Sequence, residues 1–418
     1  MLLIETDEER SMPSRSNRLL AFIAFSAIVW LGTNITLAQN SVSEFHNILH
    51  EKAAFNETDF AALGQGQAVV RLLPVRDKRE VAVCGLVKLQ VAADVFLKSF
   101  RESMTQKSNP AILEIGRFND TPTANDLQTL TIEDRDLEDL KECVVGDCKL
   151  KLSAMMIERL RKEIDWEGPD YRIQATQLLK QILLDYVRDY LARGDAALIE
   201  YNDKSKEVRL AEEQRALMAG STYINNVLPE FRQHLRGSRK SELSIVESAI
   251  VWSKIKFGLK PVIAINHITV YEREQETGPQ VVVTSKQIYA NHYFDSSLAL
   301  TAFVNIADAS PGSYLFYENR SRADGLGGIF SKMKRGIVED KAIDGLKNIL
   351  ESSKANLNAE TLSQIESASP ADSERSWRGW KIRRVHVFLS FLLITTLVGL
   401  FTLGSYNWKS SPSGGAPH

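Results

Sequence analysis

Two apolar segments lie near opposite ends of the chain, and a long, mostly polar stretch separates them. The first, Leu19–Gly32, contains fourteen residues without a charge and is followed by the small-x-small triplet Thr36-Leu37-Ala38. Three arginines precede it, and a charged start, a short apolar run and this spacing are typical of a secretory signal peptide. We therefore predict an export signal over residues 1–38, with a buried core helix as the alternative.

The second apolar segment, Val385–Leu403, has nineteen residues whose only ionisable side chain is His386. That length crosses a bilayer, and aromatic residues stand beyond both of its ends, where interfacial aromatics belong. We predict a transmembrane helix over residues 385–405 and a disordered tail over 406–418. The lipid bilayer is thus a predicted partner through Val385–Leu403.

The charges around the second segment conflict with export. Five basic residues stand shortly before it and only Lys409 stands after it, so positive-inside counting would keep the body of the protein in the cytoplasm. Long domains cross membranes largely regardless of charge, and the first apolar segment usually dominates. We expect the body to lie outside the cytoplasm. A cytoplasmic body with a C-terminal tail anchor is the alternative.

Residues 40–352 are predicted to form a soluble body, which starts with helical turns over 41–63 and then continues into strand patterns. Short connectors rich in turn residues join the later patterns, and short connectors imply antiparallel neighbours, so we predict an antiparallel meander. The predicted strands are Ala68–Pro74, Arg79–Gln90, Ala111–Phe118, Leu127–Ile132, Pro261–Glu272, Gln280–Tyr293, Ser297–Ile306 and Ser313–Asn319.

Residues 134–257 have an almost entirely helical pattern. The strongest helix, Arg172–Arg193, carries apolar residues at i, i+3 and i+4 and is closed by the glycine that follows. Two more helices are predicted at Ser221–Arg236, which Pro229 breaks or kinks, and at Leu243–Phe257.

A last long amphipathic helix is predicted after the motif Gly325-Leu-Gly-Gly328, running to about Ser352. Residues 353–384 are polar and then basic, which predicts a tether to the membrane. The predicted fold is therefore α+β: a curved antiparallel sheet packed on a long C-terminal helix, a large helical insertion over 134–257, and a transmembrane helix.

This order of elements resembles the helix-grip fold of the START/polyketide-cyclase (SRPBCC) superfamily over residues 68–132 and 261–352, and Gly325–Leu350 looks like its closing helix. The resemblance implies a sheet that wraps a helix and leaves an apolar cavity. The chain is also similar to a group of exported bacterial proteins of unassigned function, through Val144–Leu152 and Ser285–Tyr293. We therefore expect the bacterial inner membrane, with the body in the periplasm.

Charge and cysteine content narrow the function classes. Lys and Arg number 51 against 53 Asp and Glu, so no basic excess points to nucleic acid. Cys84 lies in an apolar strand pattern and is predicted to be an inert core residue. Cys143 and Cys148 flank a Gly-Asp turn, so a disulfide is predicted in an oxidising compartment. Free structural thiols, or a metal or redox site, are the alternatives.

Polar residues within the later strand patterns are the candidate ligand contacts, because a helix-grip cavity would use them to orient a ligand among apolar walls. Strand alternation places Tyr289 and Tyr293 on one face and His292 on the other. A histidine with satisfied hydrogen bonds on an ordinary sheet face is the alternative. The candidates are His267, Tyr289, His292, Tyr293, Tyr314 and Tyr317.

Other motifs carry little chemistry. His46 and His50 have the spacing of two metal ligands, but two ligands are not a site. The glycines at 325–328 lack the Gly-Lys-Ser/Thr of a phosphate-binding loop, and no G-x-S-x-G appears. We predict no metal and no cofactor, and we favour a protein without catalytic activity.

The leading hypothesis is a membrane-anchored envelope protein that binds an apolar or lipid-like small molecule. The alternative is a non-catalytic structural or interaction protein of the cell envelope, whose partner the sequence does not identify. An enzyme of the cyclase or hydrolase kind would need a histidine, His267 or His292, beside a carboxylate.

Overall fold

The computed structural model describes residues 46–107, 110–226, 228–235, 245–272, 279–306, 312–326 and 331–368. Leu19–Gly32 and Val385–Leu403 lie outside these residues, so the export signal, the membrane anchor and the tail stay predictions. Among the described residues, no helix is long and apolar enough to cross a bilayer.

The structure is α+β, as predicted. The helices are 46–53 (α1), Glu57–Gly64 (α2), Ala93–Ser103 (α3), Asp134–Lys141 (α4), Ala154–Glu163 (α5), Tyr171–Arg193 (α6), Leu210–Gly220 (α7), Thr222–Asn226 (α8), Pro229–Leu235 (α9) and Ser331–Ala368 (α10). The strands are Val69–Leu72 (β1), Glu80–Leu89 (β2), Ile112–Arg117 (β3), Glu200–Tyr201 (β4), Val208–Arg209 (β5), Ile245–Ile255 (β6), Val262–Glu272 (β7), Pro279–Ala290 (β8), Phe294–Ile306 (β9) and Gly312–Ala323 (β10).

Eight strands form one antiparallel sheet in the order β1-β2-β10-β9-β8-β7-β6-β3. The run from β6 to β10 is a meander, and β10 closes it by pairing with β2, from Ser313 opposite Leu89 to Arg322 opposite Glu80. Strands β2 and β10, which are far apart in the sequence, are therefore neighbours in the sheet, while the helices α4 to α9 come between β3 and β6 in the chain.

The predicted helix Leu243–Phe257 is wrong, because β6 occupies this stretch. Its residues from Ala249 to Ile255 are buried on both faces: Val251 packs on one side of the sheet and Trp252 on the other. A short buried run without a distinct polar face does not distinguish a strand from a helix. Pairing with β3 and β7 on its two sides decided the outcome. The helical region therefore ends before residue 245.

Two further predicted elements also differ. Residues Ala124–Leu127 form a short 3-10 turn instead of the start of a strand at Leu127–Ile132. The predicted helix Ser221–Arg236 is divided into α8 and α9, which confirms the break expected at Pro229. Proline begins α9, where its missing N–H has no partner to lose.

The sheet is covered on both faces. We call the face that packs on α3 and α10 the inner face, and the face that packs on α4 to α9 the outer face. Alternation along β10 shows the division, since Leu315 and Tyr317 join the core with α10 and Phe316 joins the core with α8. Within a regular stretch of strand, the parity of a residue's position therefore decides which face it joins, and a bulge in β8 interrupts this rule, since Ile288 and Tyr289 both join the outer core.

Helix α10 packs closely on the inner face of β2. A Cβ atom on Gly85 would lie 2.6 Å from Cδ1 of Leu350, so only glycine allows this approach. The helix continues to Ala368, well past the predicted end at Ser352. The start of the predicted tether, 353–368, is thus helical, and its remaining residues lie outside the described ranges.

Buried ion pairs fasten the helical layer to the outer face. Arg320 and Arg322 on β10 bind Glu80 on β2, with N–O distances of 2.8 and 3.0 Å. Arg322 also reaches Glu213 on α7 at 2.8 Å, and Arg79 binds the same carboxylate at 3.0 Å. A buried charge destabilises a protein unless an opposite charge pairs with it. Movement of α7 away from the sheet would separate Glu213 from its two arginines, so these pairs hold α7 on the outer face.

A disulfide joins Cys143 and Cys148, whose Cα atoms are 4.5 Å apart. The turn that it closes is bound to the outer layer, because the amides of Gly146 and Cys148 donate to the carbonyls of Asn202 and Asp203 at 2.8 and 2.9 Å. Cys84 is a fully buried free thiol on β2, and burial raises its pKa, as expected of an inert core cysteine.

Candidate functional site

His267 on β7 lies between two hydroxyl groups on the outer face. Its Nδ1 is 2.9 Å from the hydroxyl of Tyr190 near the end of α6, and its Nε2 is 2.8 Å from the hydroxyl of Ser248 on β6. Burial and the nearby charge of Lys286 lower the pKa of His267 to about 4, so the ring is neutral at pH 7. One ring nitrogen therefore donates and the other accepts, and each hydroxyl can take either role.

Lys286 is the cross-strand partner of His267 on β8. Its ammonium donates to the carbonyl of Leu235 at the end of α9, 3.0 Å away, and binds the carboxylate of Asp195 just after α6. The residue is only 2% exposed. Burial lowers the pKa of Lys286, and the negative charge of Asp195 opposes that effect only in part.

These side chains line one cleft between the sheet and the C-terminal ends of α6 and α9, with a volume of about 290 Å³. We call it the Lys286 cleft. Such a volume is at the lower end of small-molecule sites, which measure about 300–1,000 Å³. Its wall contains the ammonium of Lys286, the neutral imidazole of His267 and several hydroxyl groups, together with a few apolar side chains. It is lined by Tyr190, Leu191, Ala192, Arg193, Gly194, Asp195, His234, Leu235, Ile245, Ser248, His267, Thr269 and Lys286.

His292 lies in a second polar cluster, at the turn between β8 and β9. Its Nε2 is 3.0 Å from Oδ2 of Asp136 on α4, and Lys260 donates to the same carboxylate at 2.8 Å. Burial would raise the pKa of Asp136, but the hydrogen bonds and charges of His292 and Lys260 lower it. The carboxylate is thus shared between two donors in a buried site, as in a structural ion pair.

The predicted strand alternation through His292 is wrong. Strand β8 ends at Ala290, and Tyr293 has a left-handed φ of 60°, which no regular strand contains. His292 and Tyr293 are therefore turn residues, and Tyr293 accepts a hydrogen bond from the amide of Lys260 at 3.1 Å.

The remaining predicted contacts are spread over both faces of the sheet. Tyr289 packs between Tyr186 and Tyr201 in the outer core, and Tyr314 also belongs to an outer core cluster. Tyr317 is fully buried on the inner face. The six candidates therefore do not share one site, and among them only His267 lines the Lys286 cleft.

A row of polar side chains crosses the inner face behind the cleft. Asn266 and Gln287 are cross-strand partners one position away from His267 and Lys286, so they point to the opposite side of the sheet. Gln287 is 0% exposed, and within the described residues neither its amide nitrogen nor its amide oxygen has a hydrogen-bond partner. Such a group is costly to bury, by about 1–3 kcal/mol.

Sequence reasoning identified His267 but not its neighbours. Tyr190 and Asp195 come from the helical region and Lys286 from the neighbouring strand, so no local motif links them. The one available signal is Lys286 itself, the only charged residue in the sequence of β8. No protein-family model matches the chain, and no curated protein or solved structure shows significant similarity to it.

Proposed function

We propose that this protein binds a small, oxygen-bearing molecule in the Lys286 cleft. The observation that carries the proposal is the convergence of Lys286 and His267, cross-strand partners, on a cleft of about 290 Å³. Pockets with a few convergent polar groups and perturbed pKa values are the first candidates for binding sites in a protein.

The chemistry of the wall favours oxygen atoms on the ligand. The ammonium of Lys286 donates, and the hydroxyls of Ser248 and Thr269 can donate or accept. The cation is already balanced by Asp195, so a strongly charged anion gains less than a neutral or singly charged one. Short hydroxy acids, oxo acids and polyols fit this description.

Ligand-observed saturation-transfer NMR on the full chain tests the proposal, with acetate, lactate, pyruvate and glycerol as probes. A hydrogen bond from a charged group contributes about 1.5–3 kcal/mol, so Lys286→Met should weaken binding by roughly 10- to 100-fold. Lys254→Met is the matched control, because Lys254 is another buried, ion-paired lysine and does not line the cleft.

Equal signals from wild type and Lys286→Met, or no signal from any probe, would reject the proposal. Because Lys286→Met also removes the partner of Asp195, Thr269→Val serves as a second variant. It changes one hydroxyl in the wall and leaves that ion pair in place, and it should weaken binding by a smaller factor.

A second candidate function concerns the inner face. We infer that the chain is helix-grip-like, since β10 closes the sheet on β2 and α10 then packs on the inner face. An apolar or lipid-like ligand there is supported by Gln287, whose buried amide would meet the polar end of such a molecule. The membrane anchor, which would keep the body near lipids, stays a prediction.

Lipid extraction from the purified full chain followed by mass spectrometry tests this second function. If Gln287 binds the ligand, Gln287→Leu should reduce the amount extracted. If it binds none, the same change removes an unpaired amide and should raise the free energy of unfolding by about 1 kcal/mol or more. The alternative of a structural or interaction protein of the envelope stays a prediction. A failure to recover any lipid from the purified chain would favour this alternative.

A further inference from the structure

We propose that Lys286 forms an imine with a small aldehyde or ketone that enters the Lys286 cleft. The inference rests on the proposed function, because it names the chemical class of the ligand for the same site. It differs from simple binding in that a covalent bond forms between Nζ and the carbonyl carbon.

The position of Nζ favours this chemistry. It lies in the wall of the cleft on a central strand, and two contacts, with Asp195 and with the carbonyl of Leu235, fix its direction. An amine held in place loses little freedom on attack, so the reaction gains from proximity. Burial lowers the pKa of Lys286, so a larger fraction of this side chain is the neutral, nucleophilic amine than of a lysine exposed to water.

Asp195 is placed to move the protons. The ammonium first gives a proton to the Asp195 carboxylate, and the neutral amine then attacks the carbonyl carbon. A C–N bond forms as the C=O π bond opens, and a proton passes from the attacking nitrogen to the oxygen to give the carbinolamine. Asp195 next protonates the departing hydroxyl, water leaves, and the nitrogen lone pair makes the C=N bond. One ammonium and one carbonyl compound thus become one iminium ion and one water, and no oxidant or reductant is needed.

Borohydride trapping on the full chain tests the proposal. Pyruvate and acetaldehyde are the probes, and peptide mass spectrometry finds the reduced adduct. We expect Lys286 to be labelled at least about tenfold faster at pH 7 than exposed Lys107, because its amine is held in the wall of the cleft beside the bound carbonyl compound. Labelling of Lys286 no faster than of Lys107 overturns the inference, and this comparison needs no variant.

Asp195→Asn separates a chemical role of Asp195 from a merely structural one. Removing the negative charge lowers the pKa of Lys286 further, so a structural partner predicts faster labelling. A proton carrier predicts slower labelling, by about tenfold or more. Slower labelling with an unchanged thermal midpoint supports the mechanism, and faster labelling contradicts it.

The non-reacting probes acetate and lactate distinguish the two proposals. If they bind and Lys286 is not trapped, the imine inference fails and the proposed function stands. If neither binding nor trapping occurs, both fail.

Discussion

The imidazole of His292 lies 3.0 Å from the carboxylate of Asp136, although 155 residues separate the two in the chain. Asp136 belongs to the first turn of α4 and His292 to the turn between β8 and β9. Lys260, from the turn between β6 and β7, binds the same carboxylate. One buried carboxylate thus connects the helical layer to two turns of the sheet.

Asp136→Asn should destabilise the protein strongly. The amide cannot accept from both His292 and Lys260 as the carboxylate does, and although Asp139 stays a partner of Lys260, a buried polar group left unsatisfied costs about 1–3 kcal/mol. Asp134→Asn is the control, since Asp134 lies in the same helical turn but its side chain is 81% exposed and binds Arg172 at the surface. Urea unfolding at pH 7 measures both. A loss under about 1 kcal/mol for Asp136→Asn would show that the pairing contributes little.

The lowered pKa of Asp136 also predicts how the free energy of unfolding changes with pH. As pH falls, the unfolded carboxyl binds a proton before the folded one, so the stability that this group contributes above its ordinary pKa is lost. In Asp136→Asn this contribution is absent, and the variant should lose less stability than wild type between pH 5 and pH 3, about the ordinary range of the carboxyl.

His267 should make the protein less stable in mild acid. Its folded pKa is about 4 and lies below its ordinary value of 6.5, so the unfolded chain takes up the proton first. The loss between pH 7 and pH 5 is up to about 2 kcal/mol, and it continues until pH falls below 4. His267→Gln keeps a polar side chain and should flatten this slope, whereas His50→Gln, at the exposed side of α1, should not. An unchanged slope in His267→Gln would falsify the account.

The redox state of Cys143 and Cys148 tests whether the body of the protein lies in an oxidising compartment. Protein taken from the source cell with free thiols blocked should carry Cys143 and Cys148 as one disulfide-linked peptide pair if the body is exported. Cys143→Ser should lower the free energy of unfolding by about 2 kcal/mol, the chain-entropy value for so short a loop. Recovery of both cysteines as blocked thiols would favour a cytoplasmic body.

Two glycines should respond in opposite directions. Gly85→Ala places a methyl group 2.6 Å from Leu350 and should push α10 from the sheet, at a cost of about 1–3 kcal/mol. A Cβ on Gly336 in α10 meets nothing within 4 Å, so Gly336→Ala should stabilise the helix by up to about 1 kcal/mol. Thermal unfolding of both variants measures the difference. Equal effects would mean that α10 does not pack on β2 as described.

The pattern of apolar positions predicted most elements whose two faces differ. Helix α6 was found within one residue because its apolar residues recur on one side and Gly194 ends it with a positive φ of 60°. Strand β6 was missed for the opposite reason, since it is buried on both faces from Ala249 to Ile255 and this part of its sequence shows no difference between them. A repeating apolar pattern arises only where one face of an element is buried and the other is exposed, and the buried part of β6 lacks such a difference.

The candidate site shows the same limit. His267 is visible in the sequence as a polar residue within a strand, but its side of the sheet depends on the parity of its position in β7. Its partners come from α6, the loop after α6, and β8. Which strands become neighbours is set by the pairing of β6 to β10, and that pairing follows from packing over the whole sheet.

The sequence by itself determined the α+β class, the antiparallel run of late strands and the long closing helix, and it favoured a disulfide between Cys143 and Cys148 over free thiols or a metal site. These depend on periodicity and on turn residues close in the chain. Only the tertiary structure decided that Lys286 and His267 lie on the outer face of the sheet, while Asn266 and Gln287 lie on the inner face. The reason is that a strand exposes alternate residues to opposite sides, and each side's neighbours are distant parts of the chain.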